Sequence, residues 1–580
     1  MGEIGNAMYI MLAKRTIMSI KAFGLIVFLL LWQLSNAIAN EHPSKTEPLV
    51  LSADFTDQNE HVGEVFDFFD VSVRTQNASA NSIPAKFGRR AKVNTVRMLG
   101  GFFNRDVEAD TYKWNGKEYV YDFAQATKRI DTWLEKDWDI FQIVLDNPPW
   151  AFQRGYKFVA KANGKDYLQE DARGVYGNVL PPNDPIAWNN YISAFIQHLI
   201  DTYGKETVMG WRFRIGSEID TRPQHWAATR QEFFEHYKNT VEAVHSVLPN
   251  VKVGVQFREA SFKGRYVDYT GNTEDAYAPH FIKWAKANNI HYDFVAISYY
   301  PHIHKSKELN MEHVYEHDMA PIKEHPDWNL DASFEIHEFK LISKMQRAGF
   351  VSVSTSHSSA FFAMLSKLVL EKKVSEIFQW GNARNGDYIS EAMTQLALHS
   401  MLGNQIFRSH VLGESKIAGN NINGIFTQTP DKAGFDILLF NFNADDLSYQ
   451  ASEHVNIVLN VDIPMESELL YRVANIDASN NHIDMFYAQF AEKLTLETEG
   501  GWLIHDIHPT AAPNKRLNQA GQNAFKKAKK AYGKSNQLQW NERHRVSIKK
   551  SELGQTQLII PSQITSFGVQ RIEVREADRH

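Results

Sequence analysis

Eight short apolar runs, separated by longer segments of helical periodicity, constrain the fold of this chain more than any other feature. Each run has the length and composition of a strand that is buried on both faces of a parallel sheet. The segments between them repeat apolar residues at helical spacing behind polar capping residues. Eight strand-helix units in succession predict an α/β fold, the (β/α)8 TIM barrel. The predicted strands are Val65–Val73, Lys92–Met98, Phe141–Leu145, Trp211–Ile215, Val251–Val255, Phe294–Ser298, Ala332–Ile336 and Glu376–Trp380.

Near Leu402 the spacing of the apolar runs shortens. Strand-like runs from Ile425 to Ile560 follow one another at the interval of an antiparallel β domain. We therefore expect a barrel over residues 57–403, and an accessory antiparallel β-sandwich domain built from residues 40–56 together with 404–580.

The first 39 residues have the layout of a secretory signal peptide. Lys14, Arg15 and Lys21 precede an apolar run from Ala22 to Trp32, and small residues end the segment at Ala39. The sequence thus predicts a signal peptide over 1–39 and a protein exported to the periplasm or the extracellular space. An uncleaved membrane anchor is the alternative, although the run is short for a membrane span. No span is expected in the mature chain.

Composition excludes several kinds of chemistry. The 580 residues include no cysteine, which excludes disulfides, thiolate nucleophiles and cysteine-bound metals. The formal net charge of −6 gives no support to nucleic-acid binding. Neither a cofactor nor a metal is expected, and the sequence leaves the oligomeric state open.

Two carboxylates end predicted barrel strands. Glu218 follows the fourth strand and Glu338 follows the seventh. Active sites of such barrels lie at the carboxyl ends of the strands, so these two side chains can face each other across the barrel mouth. A pair of carboxylates is what a glycosidase needs, and a retaining one holds them about 5–5.5 Å apart. The sequence predicts hydrolysis of an oligosaccharide or polysaccharide.

Short motifs lie around these strand ends and in the trailing β domain. They are Thr95-Val-Arg97, Trp211 through Asp220, Ser298-Tyr-Tyr-Pro301, Ile336-His-Glu-Phe339 and, in the β domain, Ile437-Leu-Leu-Phe-Asn441. These motifs resemble those of the clan A glycoside hydrolases, and within that clan family 39, the group of β-xylosidases and α-L-iduronidases. The resemblance implies a double-displacement mechanism in which Glu218 is the acid/base and Glu338 the nucleophile.

One position departs from the family pattern. The family has Asn before its acid/base, whereas this chain has Ser217. Serine is shorter and has no amide with which to reach the 2-hydroxyl of the sugar. Because hydrogen bonds at that hydroxyl strengthen in the transition state, Ser217 indicates an altered substrate or a weakened enzyme.

Glu335 competes with Glu338 for the role of nucleophile. In a regular strand, residues three apart point to opposite faces, so only one of the two can enter the barrel mouth. Glu338 is nearer the strand end and is therefore favoured. Glu335 is expected to be paired beneath the barrel top or between strand and helix. His337 is expected either to support the side chains that contact substrate or to be a packing residue.

Further substrate-binding residues are expected at other strand ends. Arg97 should pair with a carboxylate, either Glu338 or a structural partner elsewhere. Aromatic rings and polar tips suit the faces and hydroxyls of sugars. On that basis the predicted substrate-binding set is Arg97, Trp150, Ser217, Tyr299, Tyr300, His302 and Trp380.

Two rival functions and one substrate property stay open at this point. Ser217 also suits a non-catalytic carbohydrate-binding protein on a decayed barrel. The pair His302 and His304 suggests a metal-dependent hydrolase, but no third ligand is evident. The basic segment Phe525-Lys-Lys-Ala-Lys-Lys530 predicts either a solvated helix face or a patch that attracts an anionic glycan. With the strand-end residues Arg258 and His302, it raises the hypothesis of a sulfated or carboxylated plant or algal substrate.

Overall fold

The structure is a computed structural model. It describes residues 49–72, 92–94, 96–97, 112–115, 117–135, 138–145, 160–162, 165–167, 173–174, 177–182, 184–221, 225–260, 276–303, 305–342, 355–380, 390–506, 514–532 and 538–577. The predicted signal peptide lies outside these ranges.

Eight parallel strands form one sheet, and their order confirms the predicted (β/α)8 barrel. Along the sheet they run first, eighth, seventh, sixth, fifth, fourth, third and second, which is the order of a barrel read from one strand round to the next. Lys92 precedes the second strand, and its backbone N–H donates to Asp70 Oδ2 of the first strand at 3.2 Å. The strands, from first to eighth, are Phe69–Ser72, Val96–Arg97, Gln142–Leu145, Arg212–Ile215, Lys252–Gln256, Phe294–Tyr299, Ser333–Phe339 and Ile377–Trp380.

Helices alternate with these strands where the sequence carries capping residues. Asp184 accepts a hydrogen bond from Ala187 N ahead of a helix with Pro185 in its first turn. Thr229 and Glu232 form a capping box at the next long helix. The longer helices of the barrel are Ala124–Leu134, Pro185–Tyr203, Arg230–Val247, Tyr277–Asn288, Ser356–Lys372 and Ser390–His399. Shorter helical segments are Lys205–Met209, Ser306–Leu309, Met311–Val314, Tyr315–Met319 and Ala320–Lys323.

Short two-stranded pairings also occur within residues 92–178. They are Tyr112–Trp114 with Tyr119–Tyr121, Ala160–Ala162 with Lys165–Tyr167, Arg173–Gly174 with Gly177–Asn178, and the parallel pair Lys92–Val93 with Asp139–Ile140.

Two mainly antiparallel sheets form a separate domain, as the sequence predicts. One contains, in order, Ser409–Leu412, Leu49–Asp54, Glu453–Val461, Thr556–Ile564 and Ser547–Lys550. The other contains His61–Glu64, Gln405–Phe407, Asn420–Gln428, Gly434–Asn443, Val569–Glu576, Leu469–Ile476 and His544–Arg545. Phe55, beyond the end of a strand of the first sheet, packs against Phe435 of the second with ring centroids 4.9 Å apart. Strand His61–Glu64 pairs with Gln405–Phe407 in the second sheet, although the sequence assigns residues from 57 onward to the barrel. The pairing is not evident from sequence because the two strands are distant along the chain.

The barrel and the second antiparallel sheet share an apolar interface. Helix Ser356–Lys372 packs on strand Gly434–Asn443, and the rings of Phe361 and Phe442 lie 5.5 Å apart. Both rings are buried in the main hydrophobic cluster. Among the described residues, no helix combines the length and apolar composition of a membrane span.

A helical insertion interrupts the second sheet between its strands Leu469–Ile476 and His544–Arg545. It contains helices His482–Gln489 and Gln519–Tyr532 and the hairpin of Leu503–Asp506 with Asn514–Leu517. Its own core includes Phe486 and Phe525. Lys526, Lys527 and Lys530 are exposed on the opposite face of their helix, a position that suits both a solvated helix face and a patch for an anionic glycan.

Candidate active site

A sharp turn at the end of the fourth strand presents Glu218. Gly216 has φ +74° and Glu218 itself has φ +46°. This left-handed backbone conformation is uncommon for a residue other than glycine. A Cβ atom on Gly216 would lie 2.5 Å from Ile219 Cγ1, so glycine is required there. The backbone N–H of Thr221 donates to the Glu218 carbonyl at 2.8 Å and closes the turn. Backbone strain of this kind costs about 1–3 kcal/mol and is concentrated at functional sites.

An irregularity in the seventh strand changes the direction of Glu338. The register shifts between Ile336 and Phe339 against the eighth strand, and between Ile297 and Ser298 against the sixth. Such a bulge re-aims the side chains that follow it. As a result, Glu338 contacts Tyr300 at the end of the sixth strand, although simple alternation from Glu335 would turn it to the opposite face.

A chain of contacts connects the two glutamates. The Tyr300 hydroxyl donates to Glu338 Oε2 at 2.6 Å. The guanidinium of Arg258 lies over the Tyr300 ring at 4.8 Å, and its Nη1 donates to Glu218 Oε1 at 3.2 Å. Burial, followed by the charge of Glu338, raises the pKa of Tyr300 well above its ordinary value. The phenol therefore stays protonated and able to donate. Glu218 and Glu338 thus belong to one site.

Arg258 is a site residue that the sequence identifies only as a strand-end cation. Burial by itself lowers the pKa of its guanidinium, but Glu218 and the other carboxylates around it raise that pKa above the ordinary value. Its backbone N–H donates to the buried carboxylate of Asp220, whose pKa is raised to about 7 by burial. Asp220 lies in the quoted strand-four motif, but nothing in that motif indicates a partner on the fifth strand.

Glu335 is part of a buried ion pair below the mouth. Arg212 Nη1 donates to Glu335 Oε1 at 2.8 Å, and Arg212 Nη2 also bonds the second carboxylate oxygen. Rings of Phe141 and Phe294 each lie 4.0 Å from the Arg212 guanidinium. Burial favours a raised pKa for Glu335, but Arg212 and then His337 hold it well below the usual range. The expectation that Glu335 is paired beneath the barrel top agrees with this geometry.

Ser217 faces the barrel interior. Its side chain accepts a hydrogen bond from Arg214 Nη2 at 2.7 Å, and the residue is only 1% exposed. Its carbonyl lies 2.9 Å from Nδ1 of His225, a ring that approaches Glu218 Oε2 to 3.8 Å. Direct contact between the Ser217 hydroxyl and a sugar therefore has no support from its position and stays a prediction.

The two adjacent tyrosines of the sixth strand have different surroundings. Tyr300 is in the site, whereas Tyr299 is 5% exposed, donates to the Glu308 carbonyl at 2.8 Å and stacks on Phe339. Consecutive strand residues point to opposite faces, so the position of Tyr299 gives no support to its predicted role in substrate binding, which stays a prediction. Tyr299 is a core residue.

Of the remaining predicted site residues, the side chain of His302 is described by the structure and the side chains of the others are not. His302 is partly exposed and its Nδ1 lies 2.8 Å from Glu308 Oε2, close to the sixth-strand end. Trp150 and His304 lie outside the described residues, and so do the side chains of Arg97 and Trp380. The predicted Arg97 contact with Glu338 stays a prediction. Within the described part of the chain, no cluster of His, Asp and Glu could hold a metal ion.

Comparisons with known proteins identify the family. The model of glycosyl hydrolases family 39 matches residues 158–328. An α-1,4-L-rhamnosidase of Formosa agariphila is 33% identical over 459 residues, which are 78% of this chain and 88% of the relative. A β-xylosidase of Geobacillus stearothermophilus is 40% identical over 78 residues, 13% of this chain and 16% of that protein.

Solved structures agree on the fold. The family 39 enzyme of Xanthomonas axonopodis pv. citri has a TM-score of 0.57 at 16% identity, covering 92% of this chain and 99% of its own. A monomeric β-xylosidase of Caulobacter crescentus has a TM-score of 0.55 at 15% identity, covering 91% and 99%. Together with the long rhamnosidase match, these findings show that the chain is a glycosidase and belongs to glycoside hydrolase family 39, a family of retaining enzymes.

Proposed function

We propose that this chain is an exported α-L-rhamnosidase that cleaves α-1,4-linked L-rhamnosides in plant or algal oligosaccharides or polysaccharides. The observation that carries the proposal is the similarity to the α-1,4-L-rhamnosidase of Formosa agariphila, which extends over 88% of that protein. Ser217 also supports a substrate other than a xyloside, since the 2-hydroxyl is axial in rhamnose and equatorial in xylose. Export is supported by the arrangement of residues 1–39.

In the proposed mechanism Glu338 attacks the anomeric carbon while Glu218 gives its proton to the departing glycosidic oxygen. Water then enters, Glu218 takes a proton from it, and the bond between sugar and Glu338 breaks. The hydrogen bond from Tyr300, 2.6 Å long, favours the ionised nucleophile and fixes its orientation. Arg258, 3.2 Å from Glu218, favours the ionised form that the second step requires.

The first prediction concerns the product. The protein should hydrolyse p-nitrophenyl α-L-rhamnoside and release L-rhamnose from an α-1,4-linked rhamnosyl oligosaccharide. Because two displacements restore the original configuration, the first product seen by proton NMR should be α-L-rhamnose. A β-xyloside is the matched control. Initial release of the β-anomer would contradict the mechanism, and preference for the xyloside would contradict the substrate.

A negative substrate charge is a further part of the proposal, and it is supported by Arg258 in the site and by the exposed lysines of helix Gln519–Tyr532. The comparison that tests it uses a sulfated or carboxylated oligosaccharide and its desulfated or reduced counterpart. The charged oligosaccharide should have the lower KM, and this KM should increase with salt concentration because salt screens the attraction. Equal KM values for the two oligosaccharides would show that recognition depends on the sugar and the linkage and not on the charge.

The acid role of Glu218 can be tested by substitution. Glu218→Gln should slow the hydrolysis of substrates with poor leaving groups by about 10²–10⁴-fold, because only these need a proton at departure. Aryl rhamnosides with activated leaving groups should lose much less in the first step. The measurement is kcat/KM against leaving-group pKa for both proteins. An equal loss across the series would be inconsistent with a general acid.

A further inference from the structure

Arg214 contacts the residue that directly precedes each of the two glutamates. It lies on the fourth strand and is fully buried. Its Nη2 donates to Ser217 Oγ at 2.7 Å, next to Glu218. Its Nη1 lies 3.0 Å from His337 Nδ1, next to Glu338. One planar guanidinium thus spans the backbone segments that carry both carboxylates.

The sheet itself gives no direct link between these segments. The fourth and seventh strands are separated in the sheet by the fifth and the sixth, so no ladder hydrogen bond joins them. Side chains in the barrel interior make the connection instead. Below Arg214, the pair of Arg212 and Glu335 joins the same two strands. The upper link is the one adjacent to the glutamates.

The protonation of His337 determines whether it can accept from Arg214. Burial lowers the pKa of this imidazole to about 3, so the ring is neutral at ordinary pH. Nδ1 faces two donors, Arg214 Nη1 at 3.0 Å and Gln142 Nε2 at 3.5 Å, so the proton of the neutral ring lies on Nε2. Nε2 lies 2.7 Å from Glu335 Oε2, to which it donates, and 2.9 Å from Arg212 Nη2. Nδ1 is then an acceptor that faces Arg214. Glu335 thus fixes the tautomer that Arg214 requires.

We propose that Arg214 is a positioning residue that sets the separation of the Glu218 and Glu338 carboxylates, an inference that rests on the catalytic roles proposed above. Retaining hydrolysis needs the two carboxyl groups about 5–5.5 Å apart, and a misplacement of 1 Å can lower the rate about 10²-fold. The rigid fork of arginine holds two acceptors in one plane, which the single ammonium of lysine does not. The proposal also gives Ser217 a reason: its short hydroxyl accepts from Arg214 within the barrel interior.

The test compares Arg214→Lys, which keeps the charge and loses the fork, with Ser217→Ala, which removes one contact and leaves the charge untouched. For Arg214→Lys, kcat should fall about 10²-fold with little change in KM. For Ser217→Ala, the same pattern should appear at about tenfold. Both variants should slow activated and unactivated rhamnosides equally, because attack and proton transfer are misplaced together. This separates them from Glu218→Gln, which spares activated substrates.

Arg571→Lys is the matched control. Arg571 is equally buried, but it lies in the β domain, where it pairs with Asp436 at 3.0 Å. Its replacement should lower Tm and leave kcat unchanged well below Tm. If Arg214→Lys and Ser217→Ala behave in the same way, Arg214 is a stabilising residue only and the inference is overturned. If the wild type is active and azide rescues Glu338→Ala, that result for the two variants would leave the proposed function intact. An inactive wild type, or no azide rescue, would instead overturn the proposed function.

Discussion

Replacing Glu338 with alanine is expected to lower kcat by at least about 10⁴-fold, because the variant has no carboxylate with which to form the glycosyl-enzyme. Azide should restore part of the activity, since a small anion can occupy the space that the carboxylate leaves and attack the anomeric carbon. The product should be a glycosyl azide of inverted configuration, because only one displacement takes place. Proton NMR of the product and steady-state rates with and without azide make the measurement.

Tyr300→Phe is the matched control for this experiment. It removes the 2.6 Å hydrogen bond to Glu338 and leaves the carboxylate in place. Its kcat should fall far less than that of Glu338→Ala, and azide should give no glycosyl azide. Azide product from the wild type at the same level as from Glu338→Ala would argue against Glu338 as the nucleophile.

The barrel could be predicted from sequence because its signal is local. Each strand-helix unit carries its own periodicity and capping residues, such as Asp184 and the Thr229 capping box. The position of His61–Glu64 could not be predicted in this way. That strand joins the antiparallel sheet through Gln405–Phe407, more than three hundred residues later, and no local pattern encodes such a pairing.

The site was predictable at the level of strand ends and less so at the level of side-chain direction. Glu218 and Glu338 could be placed because each ends an apolar run. The bulge near His337, which lets Glu338 reach Tyr300, depends on the register of three strands and leaves no mark on the local pattern. Tyr299 is different: strict alternation alone could have separated it from Tyr300.

Two arginines inside an otherwise apolar strand were a signal that sequence reasoning did not use. A buried charge needs a partner, so Arg212 and Arg214 demand acceptors inside the barrel. Two of the acceptors, Glu335 and His337, lie on a strand that follows about 120 residues later. The demand is evident from sequence, whereas the identity of the partners requires the closed fold.

Glu335→Ala is expected to lower the free energy of unfolding by about 3–5 kcal/mol, because it leaves the buried charge of Arg212 without its carboxylate. The pair is buried, with Arg212 at 7% and Glu335 at 1% exposure, so solvent does not compensate. Denaturant unfolding of the wild type and the variant measures the difference. Because this variant also leaves His337 without its carboxylate acceptor, its folded fraction should be slower than the wild type, but far less so than Glu338→Ala, which should stay folded.

The same network predicts a loss of stability in acid. The pKa of Glu335 is lower in the folded protein than its ordinary value of 4.5, so its contribution is complete above that pH and is lost as pH falls through the folded value. Burial lowers the pKa of His337 to about 3 from its ordinary value of 6.5. Because the unfolded chain binds this proton first, the His337 contribution is complete above pH 6.5 and declines toward pH 3. Both groups therefore act in the same direction, and Glu335→Ala should have a shallower decline in acid than the wild type.

A double variant separates two contributions to the free energy of unfolding: that of the ion pair itself and the cost of burying one charge without its partner. Arg212→Met with Glu335→Leu removes both charges and keeps similar volumes, so it should lose less stability than Glu335→Ala alone. Phe141 and Phe294, which enclose the guanidinium at 4.0 Å, can pack against the methionine instead. His337 would then lack its Glu335 acceptor, so Arg214 would face an imidazole of unfixed tautomer. The double variant should therefore be folded yet slower than the wild type, and full activity would show that the tautomer of His337 has no influence on Glu218 and Glu338.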